Sequence, residues 1–147
     1  MGYVIQGRPV VAGRAEGQAL VSDEPLSFWG GYDHRTGEII DRRHPLSGSV
    51  ASGCVLAVPF TRGSSTTTAV LLEAARAGTA PAAILTTEVD PFLALASIVA
   101  NELYGRVVPL VVVAPQEFAR LRTGDRLGIG EDGQIRFLHA AAAAGLS

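Results

Sequence analysis

Cys54-Val55-Leu56-Ala57-Val58-Pro59-Phe60-Thr61-Arg62-Gly63-Ser64-Ser65-Thr66-Thr67-Thr68 passes from an apolar run through a turn into a row of hydroxyl side chains. Residues 54–60 read as a short buried strand. Residues 65–77 place Ala69, Leu72 and Ala75 at the spacing of a helix face. A strand that turns directly into a helix is the opening unit of a parallel α/β sheet.

The pattern continues downstream. Residues 82–86 read as a second strand, and Asp90-Pro91 supplies an N-cap and a first-turn proline for a helix over 92–104 that Gly105 ends. Residues 107–113 are almost continuously apolar, as in a strand covered on both faces. Strand, helix, strand, helix, strand predicts three parallel neighbours joined by right-handed crossovers. Upstream, strands are expected at 3–6, 17–21 and 38–40, with loops at Gly30-Gly31 and 33–37. Downstream, a polar link over 116–123 leads to strands at 126–130 and 134–139, joined at Asp132-Gly133, a hairpin signal. Residues 140–147 are low in complexity and read as a frayed tail. The expectation is a single α/β domain over residues 1–139 whose outer strands come from both ends of the chain.

Composition narrows the chemistry. With 147 residues, 48% hydrophobic and 18% charged, the chain can bury one sizeable core. A net charge of -2 offers no footprint for nucleic acid. All 12 basic residues are arginine, so lysine Schiff bases and P-loop lysines are excluded. The single Cys54 excludes an internal disulfide framework, and it excludes a cysteine-held iron-sulfur or zinc site built by this chain alone. The N-terminus carries no signal-peptide pattern and no apolar stretch approaches the ~18 residues that span a bilayer, so a cytoplasmic location without membrane contact is expected.

Ligands of open α/β sheets bind where strands turn into helices, which makes residues 59–68 the candidate site. Gly63 permits close backbone approach, the first-turn N–H groups of the helix attract an anion, and Arg62 presents a fork suited to a carboxylate. Ser64 has two readings there. It caps the helix, as serine commonly does, or its oxygen accepts a proton in an elimination while the N–H groups and Arg62 stabilise its ionised form.

Other motifs are weaker. Gly128-Ile129-Gly130-Glu131-Asp132-Gly133 fits G-x-G-x-x-G but precedes a strand and carries two acids, which favours a hairpin over a dinucleotide loop. His34, His44 and His139 lack the spacing of a helical metal pair. Phe28-Trp29-Gly30-Gly31 reads as core packing followed by a tight turn, or as a loop that shapes a pocket or meets a partner. Glu73 and Arg76 read as an exposed i, i+3 pair.

Several of these stretches together resemble the swivel component of aconitase X. They are Leu26-Ser27-Phe28-Trp29-Gly30-Gly31 with Asp33 and Gly37, Ile40-Asp41 with His44-Pro45-Leu46, and Arg62-Gly63-Ser64-Ser65. Leu71-Leu72-Glu73-Ala74, Gly78-Thr79-Ala80-Pro81-Ala82-Ala83-Ile84, Asp90-Pro91 and Glu102-Leu103-Tyr104-Gly105 complete the set. The resemblance implies a swivelling β/β/α domain of the aconitase C-terminal type that closes over a large catalytic subunit. An iron-sulfur cluster or iron is then expected in that partner and none in this chain alone. It also implies dehydration of a small hydroxy acid, with Ser64 as the proton acceptor; the turn itself assigns Arg62, Gly63 and Ser65 to substrate binding.

Phe60-Thr61 stand where many members of that family have small residues, and Thr66-Thr67-Thr68 differ from the Thr-Val-Gly-Ser type of the phosphomevalonate branch. A glycine-poor turn approaches phosphate less closely. The expected substrate is therefore of the cis-3-hydroxy-L-proline type. The alternatives are the small subunit of a mevalonate 5-phosphate dehydratase and a non-catalytic anion-binding or assembly module.

Overall fold

A computed structural model describes residues 3–63 and 65–141. Its elements run β1 (Val4–Gln6), β2 (Arg8–Val11), β3 (Ala15–Val21), β4 (Leu26–Ser27), β5 (Val55–Ala57), β6 (Thr61–Arg62) and α1 (Ser65–Ala77). There follow β7 (Ala83–Thr86), α2 (Pro91–Tyr104), β8 (Leu110–Val112), α3 (Pro115–Phe118), β9 (Arg126–Ile129) and β10 (Gln134–His139). The expected parallel unit is present: β5 pairs with β7, and β7 with β8, all parallel.

The main sheet has eight strands in the order β1-β10-β9-β3-β5-β7-β8-β2. Its first and last members are separated in the chain by Gly7 alone, so the sheet closes on itself through the backbone. Gly7 has no room for a side chain: a Cβ there would lie 2.3 Å from Val111 Cγ1 and 3.0 Å from the Gly133 carbonyl. The long strand β3 makes the opposite corner. Its residues Ala15 to Gln18 pair antiparallel with β9, and Ala19 to Val21 pair parallel with β5. The strands flanking the parallel unit thus come from both ends of the chain, as expected, although the two edges of the order, β1 and β2, are both N-terminal.

Alternation along the parallel strands divides the apolar residues between two cores, because successive side chains point to opposite faces. Val55, Ala57, Ala83, Leu85, Val111 and Val113 join the core with Ile5, Leu127 and Ile135. Leu56, Val58, Ile84 and Leu110 face the other core, against Leu71 and Ala74 of α1 and Leu93 and Ala96 of α2. The same outer core takes in Leu26, Phe28, Tyr32, Ile39 and Leu46 from the long segment between β3 and β5.

Asp90 caps α2 as expected, its carboxylate accepting from the N–H groups of Phe92 and Leu93, with Pro91 in the first turn and Gly105 as the C-cap. The strand expected at 38–40 is reduced to isolated bridges, Tyr32 with Ile39 and Glu38 with Val50, because the segment is held by turns rather than by a neighbouring strand. Residues 54–60 and 107–113 contain strands of only three residues each. The link over 116–123 opens with α3, and β2, β4 and β6 were not anticipated. Of the residues read as a tail, Ala141 donates its N–H to Asp125 Oδ1 at 2.7 Å, and 142–147 lie outside the described residues. No helix among the described residues is long and apolar enough to cross a membrane.

Candidate functional site

Downstream of β5 the chain makes a second, smaller pairing. β6 runs parallel to β4, with Leu26 opposite Thr61 and Ser27 opposite Arg62. Gly63 follows with φ 120, a value side chains rarely adopt, and a Cβ there would sit 2.9 Å from Thr67 Oγ1. Thr67 is buried, and its hydroxyl donates back to the Arg62 carbonyl at 3.3 Å, which folds the turn onto the first turn of α1. Two contacts tie this turn to α2. The Thr61 hydroxyl donates to Asp90 Oδ2, and the Thr68 hydroxyl donates to the Phe92 carbonyl at 2.9 Å.

The side chain of Arg62 and residues Gly63 and Ser65 are exposed at this turn, and Arg62 enters no salt bridge among the described residues. Ser64, the proposed proton acceptor and alternative cap, lies outside the described residues. The first turn of α1 contains no acidic side chain, and the helix dipole there favours negative charge.

Beside the turn is a cleft of about 260 Å³ lined by Arg62 and Ser27 with Glu24, Asp41, Arg43 and His44. The structure thus brings Asp41 and His44 together with Arg62. His44 is buried; its Nδ1 accepts from the Leu46 N–H at 3.1 Å and its Nε2 lies 3.2 Å from the Glu24 carbonyl. A ring accepting at Nδ1 carries its proton at Nε2, so His44 donates to Glu24 and pins the two loops framing the cleft. Asp33 lies elsewhere. It closes a local turn by accepting from the Arg35 N–H at 2.9 Å, which together with the Arg35 guanidinium lowers its acidity range below the usual one.

Glu24, Ser27 and Arg43 had not been singled out from sequence, since no spacing links them to Arg62. The Phe28-Trp29 pair divides: Phe28 is fully buried and stacks on Tyr32 at 4.9 Å between ring centroids, while Trp29 is 67% exposed rather than packed in the core. The Ser27 hydroxyl donates to the Trp29 carbonyl at 3.0 Å. Gly128 to Gly133 form a hairpin end, closed by the Gly130 N–H to the Gln134 carbonyl at 2.9 Å, and border an open groove with Arg14 and Arg136 that shares no residue with the cleft. Glu73 and Arg76 form the expected exposed pair at 2.8 Å. Among the described residues no three of His, Cys, Asp or Glu gather to hold a metal ion, and the half-buried Cys54 has its thiol pushed up by burial. The donor set here does not fit a metal or cluster.

A closed mixed sheet whose parallel strands are joined through helices places this domain in the α/β class. The chain belongs to the aconitase X swivel domain family, whose profile matches residues 4–137. It is 47% identical over 137 residues to cis-3-hydroxy-L-proline dehydratase of Pseudomonas aeruginosa, covering 88% of this chain and 23% of that protein. It is 32% identical over 136 residues to the phosphomevalonate dehydratase small subunit of Methanosarcina acetivorans, covering 91% of this chain and 90% of that one. Among solved structures it is similar to a chain of aconitase X from Thermococcus kodakaraensis in its holo-form. That likeness has a TM-score of 0.83 at 31% identity, over 94% of this chain and 100% of the other. The swivel-type α/β fold expected from the sequence is thereby shown. The chain spans about a quarter of the length of the Pseudomonas relative.

Proposed function

We propose that this chain is the small subunit of a heteromeric hydro-lyase that dehydrates a small hydroxy acid of the cis-3-hydroxy-L-proline type. The observation that carries the reading is the exposed start of α1, directly after Arg62 and the positive-φ Gly63, with Arg62 in no ion pair among the described residues. Arg62 and the N–H groups of Ser64 and Ser65 hold the substrate carboxylate. The ionised oxygen of Ser64 takes the proton from the carbon next to that carboxylate; the electron pair left behind forms the double bond, the C–O bond breaks with its pair on oxygen, and the departing hydroxide takes a proton from solvent to leave as water. The group that activates the hydroxyl, iron or an iron-sulfur cluster by the family resemblance, belongs to the larger polypeptide.

The experiment is co-expression with that polypeptide and assay of the complex. Ser64→Ala is expected to lower kcat at least ~100-fold, the usual scale for loss of a proton-transfer group, while the subunits still co-purify. Near-normal turnover by this variant refutes the assignment.

A second reading has its own support. The chain matches the Methanosarcina small subunit nearly from end to end, which favours a mevalonate 5-phosphate dehydratase subunit. Assay of both acids with one preparation of the complex decides between the two. Failure of this chain to bind any larger polypeptide would favour a non-catalytic module.

A further inference from the structure

The cleft beside Arg62 holds charges of both signs in equal number. Glu24 and Asp41 contribute carboxylates, Arg43 and Arg62 contribute guanidinium groups, and none of the four is in a salt bridge among the described residues. Elsewhere the chain pairs such groups, as in Arg14 with Glu131, Arg76 with Glu73 and Arg126 with Glu16. The loops that carry them are tied by hydrogen bonds to the backbone. Asp41 Oδ1 accepts the Arg43 N–H at 3.0 Å, which leaves the other carboxylate oxygen without a partner among the described residues. His44 joins the loop of Asp41 and Arg43 to the loop of Glu24 through the bond at the Glu24 carbonyl.

We propose that this cleft selects a zwitterion, with Asp41 and Glu24 receiving a protonated nitrogen of the substrate while Arg62 and Arg43 receive its carboxylate. The inference rests on the hydro-lyase reading and goes beyond it by naming the residues that choose the substrate. Opposite charges unpaired in one cleft are all satisfied by a ligand that carries one of each, and no net charge is then buried when a second polypeptide covers the site. A phosphorylated hydroxy acid brings only negative charge. The two arginines attract it and the two carboxylates oppose it, which is how a site discriminates as well as binds. At about 260 Å³ the cleft is smaller than the ~300–1,000 Å³ of ordinary ligand pockets, in keeping with one wall of a site that another chain completes.

The test measures binding rather than turnover, by calorimetry on the complex with its larger polypeptide. L-proline and tetrahydrofuran-2-carboxylate share a ring and a carboxylate, and only the first carries an ammonium. Wild type is expected to bind L-proline at least ~10-fold more tightly than the oxygen analogue, and Asp41→Asn with Glu24→Gln to remove that preference while leaving the analogue's affinity within ~3-fold, a tenfold change being about 1.4 kcal/mol. Both substitutions are nearly isosteric on exposed loops, and an unchanged melting temperature checks that they fold. Retention of the preference by the double variant overturns the proposal, as does a wild-type complex that fails to bind L-proline. Because calorimetry needs no catalysis, an active Ser64→Ala variant would overturn the base assignment and leave this result standing.

Discussion

Replacing Asp90 by alanine tests whether the turn before α1 depends on the helix beyond it. One carboxylate oxygen accepts the Phe92 and Leu93 N–H groups, each at 3.1 Å, and the other accepts the Thr61 hydroxyl. Loss of the N-cap costs about 1 kcal/mol, and loss of a hydrogen bond to a charged acceptor about 1.5–3 kcal/mol. The total is about 2–4 kcal/mol, a large part of the ~5–15 kcal/mol that holds a domain together. In a chain of this size each kcal/mol lowers Tm by roughly 2–4 °C, so a loss of about 5–15 °C is expected.

Thr61→Val removes only the second bond and is expected to cost about 1.5–3 kcal/mol. Once Asp90 is alanine, the Thr61 hydroxyl has lost its acceptor. The double variant should then fall within ~0.5 kcal/mol of Asp90→Ala alone, far from the sum of the single costs. Guanidinium unfolding followed by far-UV circular dichroism reads all four forms; Trp29, being 67% exposed, is a poor reporter. Additive costs, or an Asp90→Ala cost below about 0.5 kcal/mol, would refute the claim that Asp90 ties the turn to α2.

Gly63→Ala forces a side chain into φ 120 and toward Thr67 Oγ1; a cost of about 1–3 kcal/mol in the same unfolding assay is expected, and none would mean the turn relaxes freely. Tyr32 provides a pH test. Burial, with a smaller push from Cys54, raises its phenol well above the ordinary 10.0. Its contribution is fully present below pH 10; above it the unfolded chain releases the proton first, so stability falls as pH rises toward the folded value. Tyr32→Phe gives up the 2.6 Å bond to the Thr79 carbonyl, at about 1 kcal/mol near pH 7, and should then lose stability less steeply above pH 10. An equally steep decline would count against burial of that hydroxyl.

The parallel unit was legible because its signals are local. Apolar alternation, the helical spacing within 65–77 and the Asp90-Pro91 start lie within a few residues of the elements they specify, and both helices occur where those signals put them. Closure of the sheet was not legible. It depends on a one-residue corner at Gly7 whose requirement comes from Val111 and Gly133, more than a hundred positions away. Residues 38–40 show the reverse error: Glu38-Ile39-Ile40 has strand-forming residues, yet Ile39 serves as a buried plug under turns, bonding through its N–H to Ser49. Propensity there describes fit to a half-buried surface rather than membership of a ladder.

The same distinction divides the site. Arg62, Gly63 and Ser65 could be named from sequence because a turn and a helix start define their neighbours within the chain. Glu24 and Arg43 could not, and the motif holding Asp41 and His44 did not place them beside Arg62, because they reach it through the two-residue parallel pair of β4 and β6 and through one histidine bridge. Neither device leaves a period to detect. Such short supports would be fragile alone, yet Leu26 and Phe28 on one side and Leu46 on the other are buried in the outer core that α1 and α2 complete. The carboxylates of the cleft are consequently carried by loops whose apolar residues are fixed by the same packing that fixes the start of α1. None of the four charged side chains is ion-paired among the described residues, so the cleft presents charges of both signs to a ligand.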